Sequence, residues 1–149
     1  MTRGVLRFFF DYGAGGCLWA GDDETRSSLG LGPLDAGTFA LDGRLLSPVR
    51  LPLPVAARCL RDHLDSLHAG YLNPLSPTDP SLWSQGLCER FNADVDRLLM
   101  LLRQELGRDY TIRDEQPRYA EDPGLADYLT RHPGLAPVEA VTAPSVGRG

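Results

Sequence analysis

Two stretches carry apolar residues at helical spacing. Between Ser84 and Leu106, Leu87, Phe91, Val95, Leu98, Leu99, Leu102 and Leu106 fall into one broad stripe, which predicts a long amphipathic helix. Ser84 can cap its start, Trp83 can staple its first turn, and Gly107 is a plausible stop. Between Leu53 and Ala69, Ala56, Leu60, Leu64, Leu67 and Tyr71 repeat on one face and predict a second long helix. In that register His63 lies on the apolar side, while Arg58, Arg61, Asp62 and Asp65 lie away from it. Strand-like runs at Leu6–Phe10 and Cys17–Ala20 flank a glycine-rich turn and predict a hairpin over about residues 5–20. Phe8, Phe10 and Tyr12 then share one face, and Phe9 and Asp11 the other. Tyr110–Arg113 predicts a third strand. Shorter helices are expected from Asp22 or Asp23 to Leu29 and from Asp122 to a stop at Pro133.

Residues 30–54 are rich in Gly, Pro and Leu and predict irregular chain with at most a short edge strand, because proline blocks central strand pairing. The fold class expected is α+β: a small antiparallel sheet (the N-terminal hairpin plus a strand near 109–114) with two long helices packed on one face. Residues 1–133 are expected as one domain. Residues 134–149, rich in Pro, Gly and Ala, are expected as a flexible tail.

With 149 residues, such a domain can bury a core without staples. The net charge of −5 argues against nucleic acid and anionic membrane as partners, since both reward a positive surface. All 15 basic residues are arginine, so any single arginine is weak evidence for a bidentate contact. Cys17, Cys59 and Cys88 are widely spaced and suit neither a disulfide framework nor a zinc finger. They fit a reducing, cytoplasmic setting. Neither a signal-peptide core nor a membrane-length apolar run is expected, the longest run being Leu98–Leu102.

Candidate chemistry is sparse. Asp11-Tyr-Gly-Ala-Gly between two strands looks like the phosphate-holding hairpin of actin-like ATPases, but that fold needs two large lobes. A plain hairpin turn explains the glycines better. Cys59 and His63, four apart on a helix, can meet and would suit a nucleophile pair or half a metal site, with Asp11 as an acid from the hairpin. The bland alternative, two core residues, is preferred because no third ligand or orienting acid is placed. His68 and His132 read as surface histidines. No metal or other cofactor is called for, and no catalytic residue is assigned.

The segments F-F-D-Y-G (Phe9–Gly13), C-L-W-A (Cys17–Ala20), D-P-S-L-W-S (Asp79–Ser84), E-R-F-N (Glu89–Asn92) and E-L-G-R-D-Y-T-I (Glu105–Ile112) follow one another in order along the chain. In these the chain resembles a group of small bacterial cytosolic proteins that carry no assigned catalytic residues. By size and charge alone it is also similar to immunity proteins, which neutralise bacterial toxins. Negative charge, the lack of a catalytic set and turn-rich acidic edges bearing aromatics lead to the expectation of a non-enzymatic protein-binding module, an immunity-type inhibitor or similar partner protein, working as a monomer or small homo-oligomer. Its partner would be another protein, a basic one being permitted by the charge. The contact residues expected are Asp22, Asp23, Glu24, Tyr71, Asp79 and Trp83, which join acidic edges to aromatics. The alternative is a small enzyme or metal-binding protein centred on Cys59, His63 and Asp11.

Overall fold

Alternating apolar positions near the N-terminus and helical periodicity further on are both realised in the computed structural model, which describes residues 3–140. The order is β1 (Gly4–Phe8), β2 (Leu18–Ala20), α1 (Asp23–Leu29), β3 (Thr38–Phe39), β4 (Leu45–Ser47), α2 (Val55–Ala69), α3 (Gln85–Leu106), β5 (Tyr110–Asp114) and α4 (Leu125–Arg131). The fold is α+β. Contacts gather the described chain into two compact units, each built from two separate stretches: 3–70 with 93–117, and 71–92 with 118–140. Helix α3 contributes residues to both.

In the first unit a three-stranded sheet runs β2-β1-β5. Strands β1 and β2 are antiparallel, with Phe8 opposite Leu18, as the hairpin pattern predicts. Strand β5 lies parallel to β1, with Leu6 opposite Ile112. The sheet is therefore mixed, and the wholly antiparallel expectation is corrected at this strand. A parallel neighbour needs a long crossover, and three helices lie between β2 and β5 in sequence. Strand composition alone carries no direction. Gly4, Leu6 and Phe8 are buried on one face of β1, together with Leu18 and Ile112. Helix α1 is fixed to the sheet through Thr25, whose Oγ1 accepts from Val5 N at 2.9 Å.

Residues 30–54 are more ordered than their glycines and prolines suggest. Strands β3 and β4 form a separate antiparallel pair. Leu34, Ala36, Leu51 and Leu53 around them are buried.

Helix α2 forms where expected but presents a different face. Its buried residues are Ala57, Arg61, Leu64 and His68. The predicted stripe through Ala56, Leu60, Leu64 and Leu67 shares only Leu64 with this set; Ala57, Arg61 and His68 each follow a predicted position by one residue, so the buried face is turned by somewhat less than the roughly 100° that one residue subtends. Arg61 and His68 are buried because the fold supplies them with partners, which an apolar count cannot foresee. His63 and Cys59 are consequently exposed, so the expectation that they are core residues is corrected.

In α3 the predicted stripe is buried from Leu87 through Leu102, and Met100 points outward. Ser84 caps the helix, its Oγ accepting from Leu87 N at 3.1 Å. The second unit has an aromatic centre. Trp83 is 2% exposed. It lies edge-on to Phe91 and Tyr71, each at 5.0 Å between ring centroids, and Tyr71 stacks on Tyr119 at 4.0 Å. Leu82, Leu125 and Tyr128 form a neighbouring cluster joined by Leu135. Val138, in the expected tail, brackets Trp83 with backbone bonds: its N–H donates to Leu82 O at 2.7 Å, and Ser84 N donates to its carbonyl at 2.9 Å. The rest of that expected tail, residues 141–149, lies outside the described residues. No described helix is long and apolar enough to cross a membrane.

Truncating the centre of this aromatic group removes a large buried volume. Trp83→Ala is expected to cost about 3–5 kcal/mol of unfolding free energy. Urea denaturation followed by far-UV circular dichroism measures it, and a loss below about 1 kcal/mol would contradict the packing described.

Candidate functional site

The connection between β1 and β2 sets the geometry of the most developed site. Gly13 and Gly15 adopt φ values of +73° and +84°, which side chains rarely tolerate. Gly16 serves close approach instead: a Cβ there would lie 2.7 Å from both Asp35 Oδ1 and Pro33 Cβ. The turn therefore settles directly against residues 33–36.

That contact buries Asp35, which is 2% exposed. A buried carboxylate must be surrounded by donors. Cys17 N and Leu18 N donate to Oδ1 at 3.0 and 2.9 Å, and Arg61 Nη1 donates to Oδ2 at 3.3 Å. The same Nη1 also donates to the Asp35 carbonyl. Arg61 Nε and Nη2 reach Asp62 Oδ1 at 3.0 and 2.8 Å. A guanidinium fork matches this set because its donors point in several fixed directions. Helix α2 is thereby tied to the loop before β3 and, through Asp35, to the start of β2.

Above this pair lies an open cavity of about 350 Å³. Its walls are apolar, from Ala36, Phe39, Val49 and Leu53; Asp35 and Arg61 also line it, as does Arg58. Arg58 is exposed and makes no side-chain hydrogen bond or ion pair among the described residues. The walls continue outward into apolar surface. Phe39 is 64% exposed and Leu46 60%, and Leu41, Leu45 and Val49 are exposed as well. All five sit on or beside the β3–β4 hairpin. Along residues 37–58 the charged side chains are Asp42, Arg44, Arg50 and Arg58, an excess of arginine on a chain of net charge −5. Arg50 is held in place by the Leu29, Leu31 and Pro33 carbonyls.

Burial governs the ionisable groups nearby. Burial, reinforced by Asp35, pushes the Cys17 thiol well above its usual range, so it stays protonated. Burial also raises Asp65, against the opposing pull of the Gly15 N–H. Burial lowers His68 from its usual 6.5, with Asp11 acting in the other direction. The His68 ring stacks on Tyr12 at 4.6 Å and leans on Phe10 at 6.0 Å. His68, expected as a surface group, is thus part of the first unit's interior.

The residues expected to touch a partner are scattered. Asp22 caps α1, its Oδ1 accepting from Thr25 N at 2.8 Å, and this bond lowers its pKa. Asp23 pairs with Arg26 at 2.6 Å, and Glu24 is exposed. Asp79 accepts from the Tyr128 hydroxyl at 3.0 Å. Tyr71 is half-buried in the aromatic centre. Trp83 is buried there, so its place as an exposed anchor is corrected: the hydrophobic side chain that staples a helix also fills the core. Cys59 and His63 are both exposed on α2, while Asp11 acts on His68. Among the described residues no three His, Cys, Asp or Glu side chains are grouped to hold a metal ion.

Sequence reasoning missed Asp35, Arg61, Phe39, Val49 and Arg58. One available signal was Leu34-Asp35-Ala36, an acid flanked by small or apolar neighbours. No protein-family model matches the chain, and no curated protein or solved structure gives a significant match.

Two expectations test this site. Asp35→Ala strands the backbone N–H groups of Cys17 and Leu18 while Arg61 keeps Asp62 and the residue-35 carbonyl, so it is expected to cost about 2–4 kcal/mol in urea denaturation. His68 is the second test. Its pKa is depressed in the fold, so the unfolded chain takes up a proton first as pH falls below 6.5. Stability contributed by the neutral ring is complete above that pH and is lost below it. The melting temperature should therefore drop between pH 7.5 and pH 5.5 by more in the parent than in His68→Phe; equal slopes would contradict the assignment.

Proposed function

We propose that the protein is a non-enzymatic protein-binding module whose contact element is the β3–β4 hairpin. An immunity-type inhibitor of a bacterial system, or a similar partner protein, is the form proposed. The observation that carries this reading is the exposed apolar surface formed by Phe39, Leu41, Leu45, Leu46 and Val49. A small protein rarely leaves so many large apolar side chains together in water unless something covers them. The two-stranded sheet also has free outer edges, a recurrent means of binding another chain. The acidic edge at Asp22–Glu24 takes second place in this reading, because Asp22 and Asp23 already have intramolecular roles. Cytoplasmic residence is proposed with it, where unpaired Cys17, Cys59 and Cys88 stay reduced.

Affinity capture from the native host tests the reading. A stoichiometric protein partner is expected with the parent chain and is expected to be lost with the triple variant Phe39→Ser, Leu41→Ser, Leu46→Ser. These side chains are exposed, so the variant should keep its circular dichroism spectrum and melt within about 1 kcal/mol of the parent. Capture unaffected by the triple variant would refute the hairpin as the contact element.

A further inference from the structure

We infer that the cavity between the hairpin and α2 receives an acidic–apolar peptide segment of the partner protein, an apolar side chain entering the cavity and a neighbouring carboxylate meeting Arg58. The inference rests on the protein-binding reading above and names the chemistry of its partner.

Three features lead to this occupant. The first is the division of labour between the two arginines. Arg61 faces two carboxylates, Asp35 and Asp62, and so has no charge to spare for a ligand. Arg58 has no partner among the described residues and lines the same cavity. A guanidinium in that position is ready for a carboxylate, which it can hold through two parallel N–H donors.

The second feature is charge complementarity. The chain as a whole is acidic, yet residues 37–58 carry three arginines against Asp42. The Arg50 guanidinium donates to three carbonyls, which orient it without neutralising it. The local surface therefore favours an acidic ligand, contrary to the basic partner that net charge alone permits.

The third feature is shape. About 350 Å³ is at the small end of ligand pockets and accommodates one large apolar side chain with room at its entrance. Phe39 and Val49 line the cavity and are also exposed outside it. A Cβ built on Gly37 would meet Leu45 Cδ1 and Phe39 Cε2, both at 3.5 Å, so these side chains converge beside the same wall. An occupant that fills the cavity and also covers the exposed parts of Phe39 and Leu45 must extend beyond it, as a polypeptide does and a small carboxylic acid does not.

Selection from a phage-displayed library of random dodecapeptides, with the full chain as bait, tests the inference. Enriched peptides are expected to place Asp or Glu within a few residues of Phe, Leu or Trp. A synthetic consensus peptide should bind the parent in calorimetry and bind Arg58→Glu about tenfold or more weakly. Exchanging the peptide's acid for Lys should restore binding to Arg58→Glu. Phe39→Ala should weaken binding without changing the charge preference. Arg58 is exposed and unpartnered, so its replacement should leave the melting curve unchanged. The inference is overturned by no enrichment, by enriched peptides without an acid, or by equal binding to Arg58→Glu. It is also overturned if phenylacetate binds the site as tightly as the peptide does. Association of two copies of this chain that masks the site would overturn it too. Hairpin-dependent capture of a host protein combined with any of these results would refute this inference and leave the protein-binding reading standing.

Discussion

Asp35 is a carboxylate with almost no access to solvent, and its side chain must be satisfied by what surrounds it. The N–H groups of Cys17 and Leu18 and the guanidinium of Arg61 do so, drawing the start of β2, the loop before β3 and helix α2 to one point. The rotation of α2 follows from this. With Arg61 turned inward, Ala57, Leu64 and His68 are buried, and Cys59 and His63 face solvent. A buried ion pair adds little net stability compared with apolar packing, but it is severe on alternatives that leave one charge unpaired. It therefore suits the task of selecting one helix face among several of similar hydrophobicity.

The same anchor leaves the hairpin in its exposed position. Leu34, Ala36, Leu51 and Leu53 are buried at the two ends of the segment. Between these fixed points, β3 and β4 pair only with each other, and their large apolar side chains find no cover within the described chain. A firmly held base under an uncovered apolar tip is the arrangement expected of a recognition element, since a contact surface on a rigid support loses less entropy on binding. In the proposed binding role the cavity at the foot of the hairpin would add specificity, because Arg58 lies there beside apolar walls.

Chemistry at this site is limited by the same burial. The thiol of Cys17 is held protonated, and Asp35 is fully occupied by donors. The Cys17 thiol therefore lacks the accessible thiolate that nucleophilic attack requires.

The sequence by itself determined the elements: the amphipathic stripe of α3, the β1–β2 hairpin, an aspartate cap at residue 22 or 23, the cap at Ser84 and the strand beginning at Tyr110. Each of these is written in residues close together in the chain, where periodicity and capping act. Tertiary structure decided the rest. Which face of α2 is buried depended on Asp35 meeting Arg61, 26 positions away. The parallel direction of β5 depended on the path of the helices before it. Trp83 became a core residue because Tyr71, Phe91 and Tyr119 converge on it from separate segments. The candidate binding surface was illegible for the same reason: apolar residues in a Gly- and Pro-rich segment signify contact only once the fold leaves them uncovered.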